Sequence, residues 1–375
     1  MIAVTRNQKV NDCLLQVLFV GGLALLVGGG ALTAHRNLAE RGLTSGFDFL
    51  FRSTGWEVNT AVLTVTGMDP YWWFFAVGLA NTLLLGAIGL TLATAVGAVV
   101  GIARTSSNEL ARLIGTIYVE IFRNIPLILQ VFFWQAVVTH LPGPRQAIAA
   151  GGALLSGRGL YIPVPNVSGE AAAAIFAILA AAIFAAIRLR GGVRRVVLGG
   201  AGLLVIAAVL LGHPAGAPFV DRPALQGLNI RGGMRIAPEL AALAIAIAIY
   251  GGAYIGEIVR GGFKAVGTGQ VEAARAIGLR PWHVFSRIQA PLALRAMLPI
   301  LANQYVWLIK ATTLGITIGF ADFFMMVAMT INHSGQTLEA IGILMAGFLV
   351  INFTIAAIFN RINKAIALKG NQLRT

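Results

Sequence analysis

Lys310 ends the apolar stretch LPILANQYVWLIK, and Asn303 and Trp307 stand seven and three residues before it. On a helix these three share one face. A cation beside an amide and an indole is suited to receive a carboxylate through a charge-assisted hydrogen bond. An ionisable residue inside an apolar span is a functional candidate by default. Its plainer alternative is a lysine that snorkels outward or pairs with an acid of a partner chain. A second stripe, Arg123, Leu127, Gln130 and Trp134, runs past Pro126, a natural kink point. Lys310, Asn303, Trp307, Arg123 and Gln130 are therefore the candidates for lining a substrate path. Glu120 lies three residues before Arg123, the spacing of a local ion pair, and this pair is read as structural. Glu257 and Arg260 have the same spacing near the end of another apolar run. They are candidates for a gate, with an interfacial ion pair as the plainer account. Asp322 is expected to be solvated at the outer end of its span.

Other chemistry finds no support. Cys13 is the only cysteine, which excludes an internal disulfide and a cysteine metal site. No two of the five histidines have helical ligand spacing, so no metal ligand is assigned. A P-loop needs Gly-Lys-Ser/Thr to cradle phosphates. The lysines are Lys9, Lys264, Lys310, Lys364 and Lys369, and none follows glycine. No catalytic constellation is present, and the chain is not read as an enzyme.

The elements that must hold these residues are membrane spans. The chain is 57% hydrophobic and only 11% charged, with a mean hydropathy of +0.81. Several runs reach the length of about 20 apolar residues that crosses a bilayer. An all-α integral membrane protein is expected, with about eight transmembrane helices at 14–34, 72–103, 113–140, 171–187, 196–213, 238–259, 298–320 and 339–360. Arg6 and Lys9 before Leu14–Ala34 look like a signal peptide. That run exceeds the roughly 7–15 apolar residues of such a peptide, and Leu32 suits no cleavage at Ala34, so it is read as an uncleaved span. The net charge of +14 sits in short loops and not in a stripe with interleaved aromatics, so nucleic acid is excluded as a partner. Segments 1–13, 104–112, 188–195, 260–296 and 361–375 hold eighteen of the Lys and Arg residues, twice the nine of the opposite loops. The basic side faces the cytoplasm, which puts both termini inside. Segment 35–71, with Phe47, Phe49, Leu50, Phe51 and Trp56, is expected to be an interfacial helix. Residues 171–213 read as a featureless helical hairpin. Gly97 and Gly101 form a GxxxG, a weak signal among 45 glycines.

The most polar passage is Val271–Pro291, VEAARAIGLRPWHVFSRIQAP. Its pattern predicts a short helix over Val271–Ile277, a left-handed cap at Gly278 and a second helix opened by Pro281. Trp282, Phe285 and Ile288 share one face of that helix, and Pro291 closes it. A rigid knob of this kind suits a surface that transmits force.

The spacing resembles the permease signature of binding-protein-dependent ABC importers: EAA, three residues, Gly, nine residues, then I-x-L-P. Here stand Glu272, Ala273, Ala274, Gly278, Ile288 and Pro291, with Ala290 where leucine is usual. YVEIFRNIPLILQVFFW, AYIGEIVRGGFKAVGTGQVEAARAIGL and LANQYVWLIKATTLGITIGFADF look like the polar-amino-acid branch. Many relatives carry a small polar residue where Ala311 follows Lys310. The length, LTSGFDFLFRSTGW and the inserted hairpin are similar to general L-amino-acid permease subunits.

The resemblance implies a type I ABC importer permease-like core in a bacterial inner membrane. It divides the chain into an N-terminal span with a periplasmic segment (1–71), a first core part (72–140), an insertion (141–237) and a second core part (238–375) containing a cytoplasmic coupling loop (260–296). It implies an ABC ATPase subunit carrying ATP and magnesium, a second permease in a heterodimer, and a periplasmic amino-acid-binding protein. Glu272, Ala273, Ala274, Gly278, Trp282, Arg287, Ile288 and Pro291 would then couple to the ATPase. The alternative function is a secondary transporter driven by an ion gradient, but no matching halves with broken helices are found. The topology predicts that an impermeant thiol reagent added to intact spheroplasts leaves an Arg190→Cys variant unlabelled. Labelling from outside would overturn the assigned orientation.

Overall fold

The computed structural model describes residues 2–40, 46–58, 63, 65–189 and 191–366. Arg190, the end of the chain and parts of 35–71 lie outside the described residues. The helices, in order, begin with α1 (Ile2–Glu40), α2 (Tyr71–Thr105), α3 (Glu109–Asn124) and α4 (Leu127–Thr139). An insertion follows: β1 (Ile148–Ala150), β2 (Ala153–Ser156), β3 (Gly159–Ile162), β4 (Val164–Pro165), α5 (Gly169–Arg188), α6 (Gly191–Leu211), β5 (Val220–Asp221), β6 (Ala224–Gln226), β7 (Asn229–Arg231) and β8 (Met234–Ile236). The chain then runs through α7 (Pro238–Lys264), α8 (Thr268–Ala276), α9 (Pro281–Val284), α10 (Ala290–Lys310), α11 (Phe323–Ser334) and α12 (Thr337–Ile366). Among the described residues six helices are long and apolar enough to cross a membrane, or seven if α3 and α4 count as one broken span. The apolar stretch Leu14–Gly30 of α1 is shorter, so the expectation of about eight is approximate.

Two compact units divide the chain, Leu85–Gln304 and the segments that flank it. The axis of the first is α7, 72% of whose most apolar window is buried. It is contacted by α3 and α4 and by α2 through glycines. A side chain on Gly97 would meet Ile255 at 2.5 Å, and one on Gly101 would meet Val259 at 2.4 Å and the Gly256 carbonyl at 2.8 Å. Gly256 in turn faces Val100. This is small-residue packing, which lets backbones approach where no hydrophobic drive separates helix from lipid. The weak GxxxG of the sequence marks a real contact.

The run expected at 113–140 is broken. Asn108 caps α3 by accepting from the Ala111 N–H at 3.1 Å, and α3 and α4 meet at 102°. Pro126 forces Ile125 into an extended conformation. The Gln130 side chain, 4% exposed, donates to the Phe122 and Ile125 carbonyls that the break leaves free. A mild kink was expected; the corner is sharp because a side chain exists to satisfy it.

The segments expected as plain loops, 141–170 and 214–237, carry short strands. A four-stranded antiparallel sheet has the order β1-β2-β3-β8, with two smaller ladders, β4-β5 and β6-β7. In its register Leu154 opposes Tyr161, and Tyr161 opposes Arg235. Strands before and after the helical hairpin pair with each other, so the hairpin α5–α6 grows from a closed base. None of its most apolar windows is buried, and its helices pack on one another.

In the flanking unit, segment 35–71 departs from an interfacial helix. Residues 35–40 continue α1, and the rest of its described part is one turn at Asp48–Phe51 and non-helical chain leading to α2. Phe49 is buried in a core with Tyr71, Phe75, Phe323 and Val327, and Trp56 packs edge-on to Phe74 at 4.3 Å. Of the aromatic residues read as interfacial, Phe49 and Trp56 therefore serve as core, while Phe47 and Phe51 remain exposed. Asp322 is likewise fully buried and not solvated. It caps α11 by accepting from the Met325 N–H at 2.8 Å, while Thr82 accepts from the Phe323 N–H and Asn81 donates to the Ala321 carbonyl.

Gly101→Leu is expected to force α2 and α7 apart and to destabilise the protein by about 1–3 kcal/mol through overpacking. Thermal unfolding in detergent checks it: the midpoint falls for Gly101→Leu but not for Gly342→Ala, whose added carbon meets nothing within 4 Å.

Candidate functional site

The knob begins four residues after α7. α8 carries Glu272 and Ala273 on its exposed side, while Ala274 is 3% exposed and faces inward. Its end is a full Schellman motif. Gly278 has φ +82°, its N–H donates to the Arg275 carbonyl at 2.9 Å, and the Leu279 N–H donates to the Ala274 carbonyl at 3.2 Å. A side chain on Gly278 would meet nothing within 4 Å, so the backbone angle alone demands glycine. Pro281 opens α9 at its first position, where its missing N–H costs nothing.

Pro291 does not close the second helix, contrary to expectation. α9 passes into a π turn at Phe285–Gln289 and on into α10 without interruption. The wider turn accommodates a residue that has no N–H and whose ring clashes with the carbonyl four residues back. The knob is thus continuous with a membrane helix. Val284, 2% exposed, and Phe285, stacked on Phe263 at 5.5 Å, anchor it. Trp282 and Ile277 stand out at 69% and 77% exposed, with Glu272 and Arg287 exposed beside them. Ile288 and Pro291 are half-buried and act as supports. Ile277, the most exposed apolar side chain of the knob, was not singled out by the motif, which weights the helix start and the glycine.

Above the knob, Glu257 pairs with two arginines. Arg260, one turn on, donates through Nε at 3.1 Å and through its terminal nitrogen. Arg104, from the end of α2, is the second partner. Its side chain is 8% exposed. The ion pair read from spacing is therefore a triad that ties α2 to α7. Arg104 escaped sequence reasoning because it is 153 positions away with no pattern linking it to Glu257. A cleft of about 490 Å³ opens beside the triad, lined by Arg104, Arg112, Lys264, Phe263 and Phe285.

The substrate-path candidates fall on three helices, α3, α4 and α10. Asn303, Trp307 and Lys310 are each exposed on α10, whose regular α geometry ends at Lys310 and tightens to a 3-10 helix over Ala311–Ile318. Arg123 makes no ion pair with Glu120 among the described residues. Its guanidinium lies over the Tyr254 ring, 4.9 Å from the centroid, a cation–π contact between α3 and α7. The break after Asn124 puts Arg123 on a different helix from Gln130 and Trp134, and Gln130 is spent on the corner.

Comparison with known proteins accords with this geometry. The chain is 40% identical to the putative amino-acid ABC transporter permease protein YhdX of Escherichia coli (strain K12), over 96% of this chain and 95% of the relative. It is 34% identical to the general L-amino acid transport system permease protein AapQ of Rhizobium johnstonii, over 96% and 94%. It is 30% identical to the glutamate/glutamine/aspartate/asparagine transport system permease protein BztB of Rhodobacter capsulatus, over 98% and 96%. Residues 89–368 match the model of the binding-protein-dependent transport system inner membrane component. A helical membrane subunit, with an exposed knob built into one of its spans and no P-loop of its own, belongs to that family: it is the permease subunit of an ABC importer.

Proposed function

We propose that this subunit translocates amino acids, working as one of two unlike permeases, with both termini in the cytoplasm and ATP and magnesium held by the partner ATPase. The observation that carries the reading is the unbroken helical path from α9, through the π turn, into α10, with α8 joined to α9 by the tight Gly278 cap. A displacement of the knob by the ATPase moves a membrane helix directly, with no flexible link to absorb it. The names of YhdX, AapQ and BztB support amino acids as the cargo.

The coupling face consists of Glu272, Ala273, Trp282 and Arg287, with Ala274, Ile288 and Pro291 holding it in place. Glu272 stands mid-way along α8, beyond its first turn, and its exposed carboxylate is placed to meet a basic residue of the ATPase. Gly278→Val imposes a left-handed conformation on a β-branched residue, at a cost of about 1–2 kcal/mol, which tilts α9 against α8. Gly278→Val and Glu272→Lys are both expected to insert normally and to lose the ATPase on co-purification, or to lose substrate-stimulated hydrolysis in proteoliposomes. Normal binding and stimulation in both variants would reduce the passage to a plain loop.

Lys310 is the assigned contact for the substrate carboxylate. Lys310→Met keeps most of the length and removes the charge. Uptake of labelled amino acid should fall by about tenfold or more, the equivalent of one lost charge-assisted hydrogen bond, while ATPase association persists. Unchanged uptake kinetics would remove Lys310 from the path.

A further inference from the structure

The small strands of the insertion hold a feature that the permease core does not use. Segments 141–168 and 214–237 contain five arginines, Arg145, Arg158, Arg222, Arg231 and Arg235, and one acid, Asp221. All five are exposed, and among the described residues none is in an ion pair. Asp221 is committed elsewhere, accepting from the Gly233 N–H at 2.9 Å.

Contacts draw four of them into one patch. Arg158, in the β2–β3 turn, donates to the Asn229 side chain of β7. Arg235, on β8, donates through Nε to the Arg158 carbonyl at 2.9 Å. The turn Pro144–Gln146, which carries Arg145, lies against β7, whose last residue is Arg231. Like charges repel, and an ordinary surface would intersperse acids among them. Here hydrogen bonds fix Arg158 and Arg235, and a single acid, Asp221, stands against five arginines. Exposed Leu228 and Met234 lie on the same strands and turns, the mixture of apolar and Arg side chains that makes protein interfaces.

Its position is set by α7. β8 ends two residues before α7 begins, and α8 starts four residues after α7 ends. At about 1.5 Å per residue α7 is about 40 Å long, enough to cross a core of about 30 Å. The patch and the knob therefore lie on opposite faces of the membrane. If the knob meets the ATPase, the patch faces the side from which substrate arrives.

We propose that this arginine patch is a docking surface for the solute-binding protein, engaging carboxylates on an acidic face of that partner. The proposal rests on the importer reading above. The arginine fork recognises carboxylates two oxygens at a time, and clamping by Asn229 and the Arg158 carbonyl pre-organises it for the fixed carboxylates of a folded protein. Fluid anionic headgroups of the outer leaflet would not require that order.

The test uses the complete transporter in proteoliposomes, with hydrolysis measured against concentration of its own loaded binding protein. Arg145→Glu with Arg231→Glu is the main variant, because neither side chain has a hydrogen bond that the cap needs; an unchanged unfolding midpoint checks the fold. The half-saturating concentration should rise about tenfold or more, as loss of electrostatic steering demands, with the rate recovering at saturation. The wild-type half-saturation should rise steeply with salt and that of the variant only weakly. Arg145→Gln with Arg231→Gln should fall between. Equal half-saturation in wild type and variants overturns the proposal while leaving the importer reading intact. A defect that appears only in vesicles containing phosphatidylglycerol, and vanishes in purely zwitterionic ones, also overturns it and makes the patch a lipid contact. A wild-type transporter that the binding protein never stimulates refutes the importer reading itself.

Discussion

The contact between α2 and α7 carries the unit Leu85–Gln304. Two helices in lipid gain nothing from burying apolar surface, since the tails are as apolar as their side chains. They are held by close packing and by polar groups that find no better partner. Gly97, Gly101 and Gly256 bring the backbones together, and Arg104–Glu257–Arg260 closes the end of the contact. Glu257 between two arginines leaves one net positive charge in the triad. That is tolerable at a membrane edge and costly deeper in. The triad thus ties the end of α2 to α7. The strands enter just before α7 and the knob just after it, so both inherit its position.

The continuity of the knob with its membrane helix follows from how this chain uses proline. Pro281, Pro291 and Pro299 fall within one continuous helical path. A proline inside a helix removes a hydrogen bond and ordinarily kinks or breaks it. Pro281 sits where no bond is needed, and the π turn at Phe285–Gln289 takes up the misfit before Pro291. The helix bends without ending. A helix that ended at Pro291, as a reading of breakers alone suggests, would leave a hinge between knob and span. The π turn replaces that hinge with a stiff elbow, anchored by Val284 and the Phe263–Phe285 stack.

Much of this was legible in the residues. The spans follow from apolar runs, and the knob follows from helix-stop chemistry: the Gly278 cap and Pro281 stand where spacing alone put them. What escaped detection depends on distant partners. Phe49 and Asp322 have nothing local to say that they are buried; Tyr71 and Phe323 decide it for the one, the start of α11 for the other. Arg104 became visible only when α2 was laid beside α7. Gln130 looked like a pore residue because a polar side chain in an apolar run has two explanations, function or repair of the backbone. Only the 102° corner chooses the second. The strands are shorter than five residues each, too short for alternation to show, although the Gly-Gly pair between β1 and β2 is a hairpin signal.

Segment 141–237 folds back on itself before the chain enters α7. β3 pairs with β8, and β4 with β5, so the chain leaves and returns through neighbouring strands. The hairpin α5–α6 then adds no loop-closure cost to the core, because the sheet has already brought its ends together. Ser168 caps α5 at the point where the Gly212 carbonyl accepts the Ser168 N–H at 2.8 Å, so the two helices start and finish at one place. The base of the insertion is therefore rigid, and whatever stands on it is presented in a fixed orientation. Rigidity is what the clamped arginines require: four like charges stay together only where backbone pairing supplies the energy that their repulsion opposes.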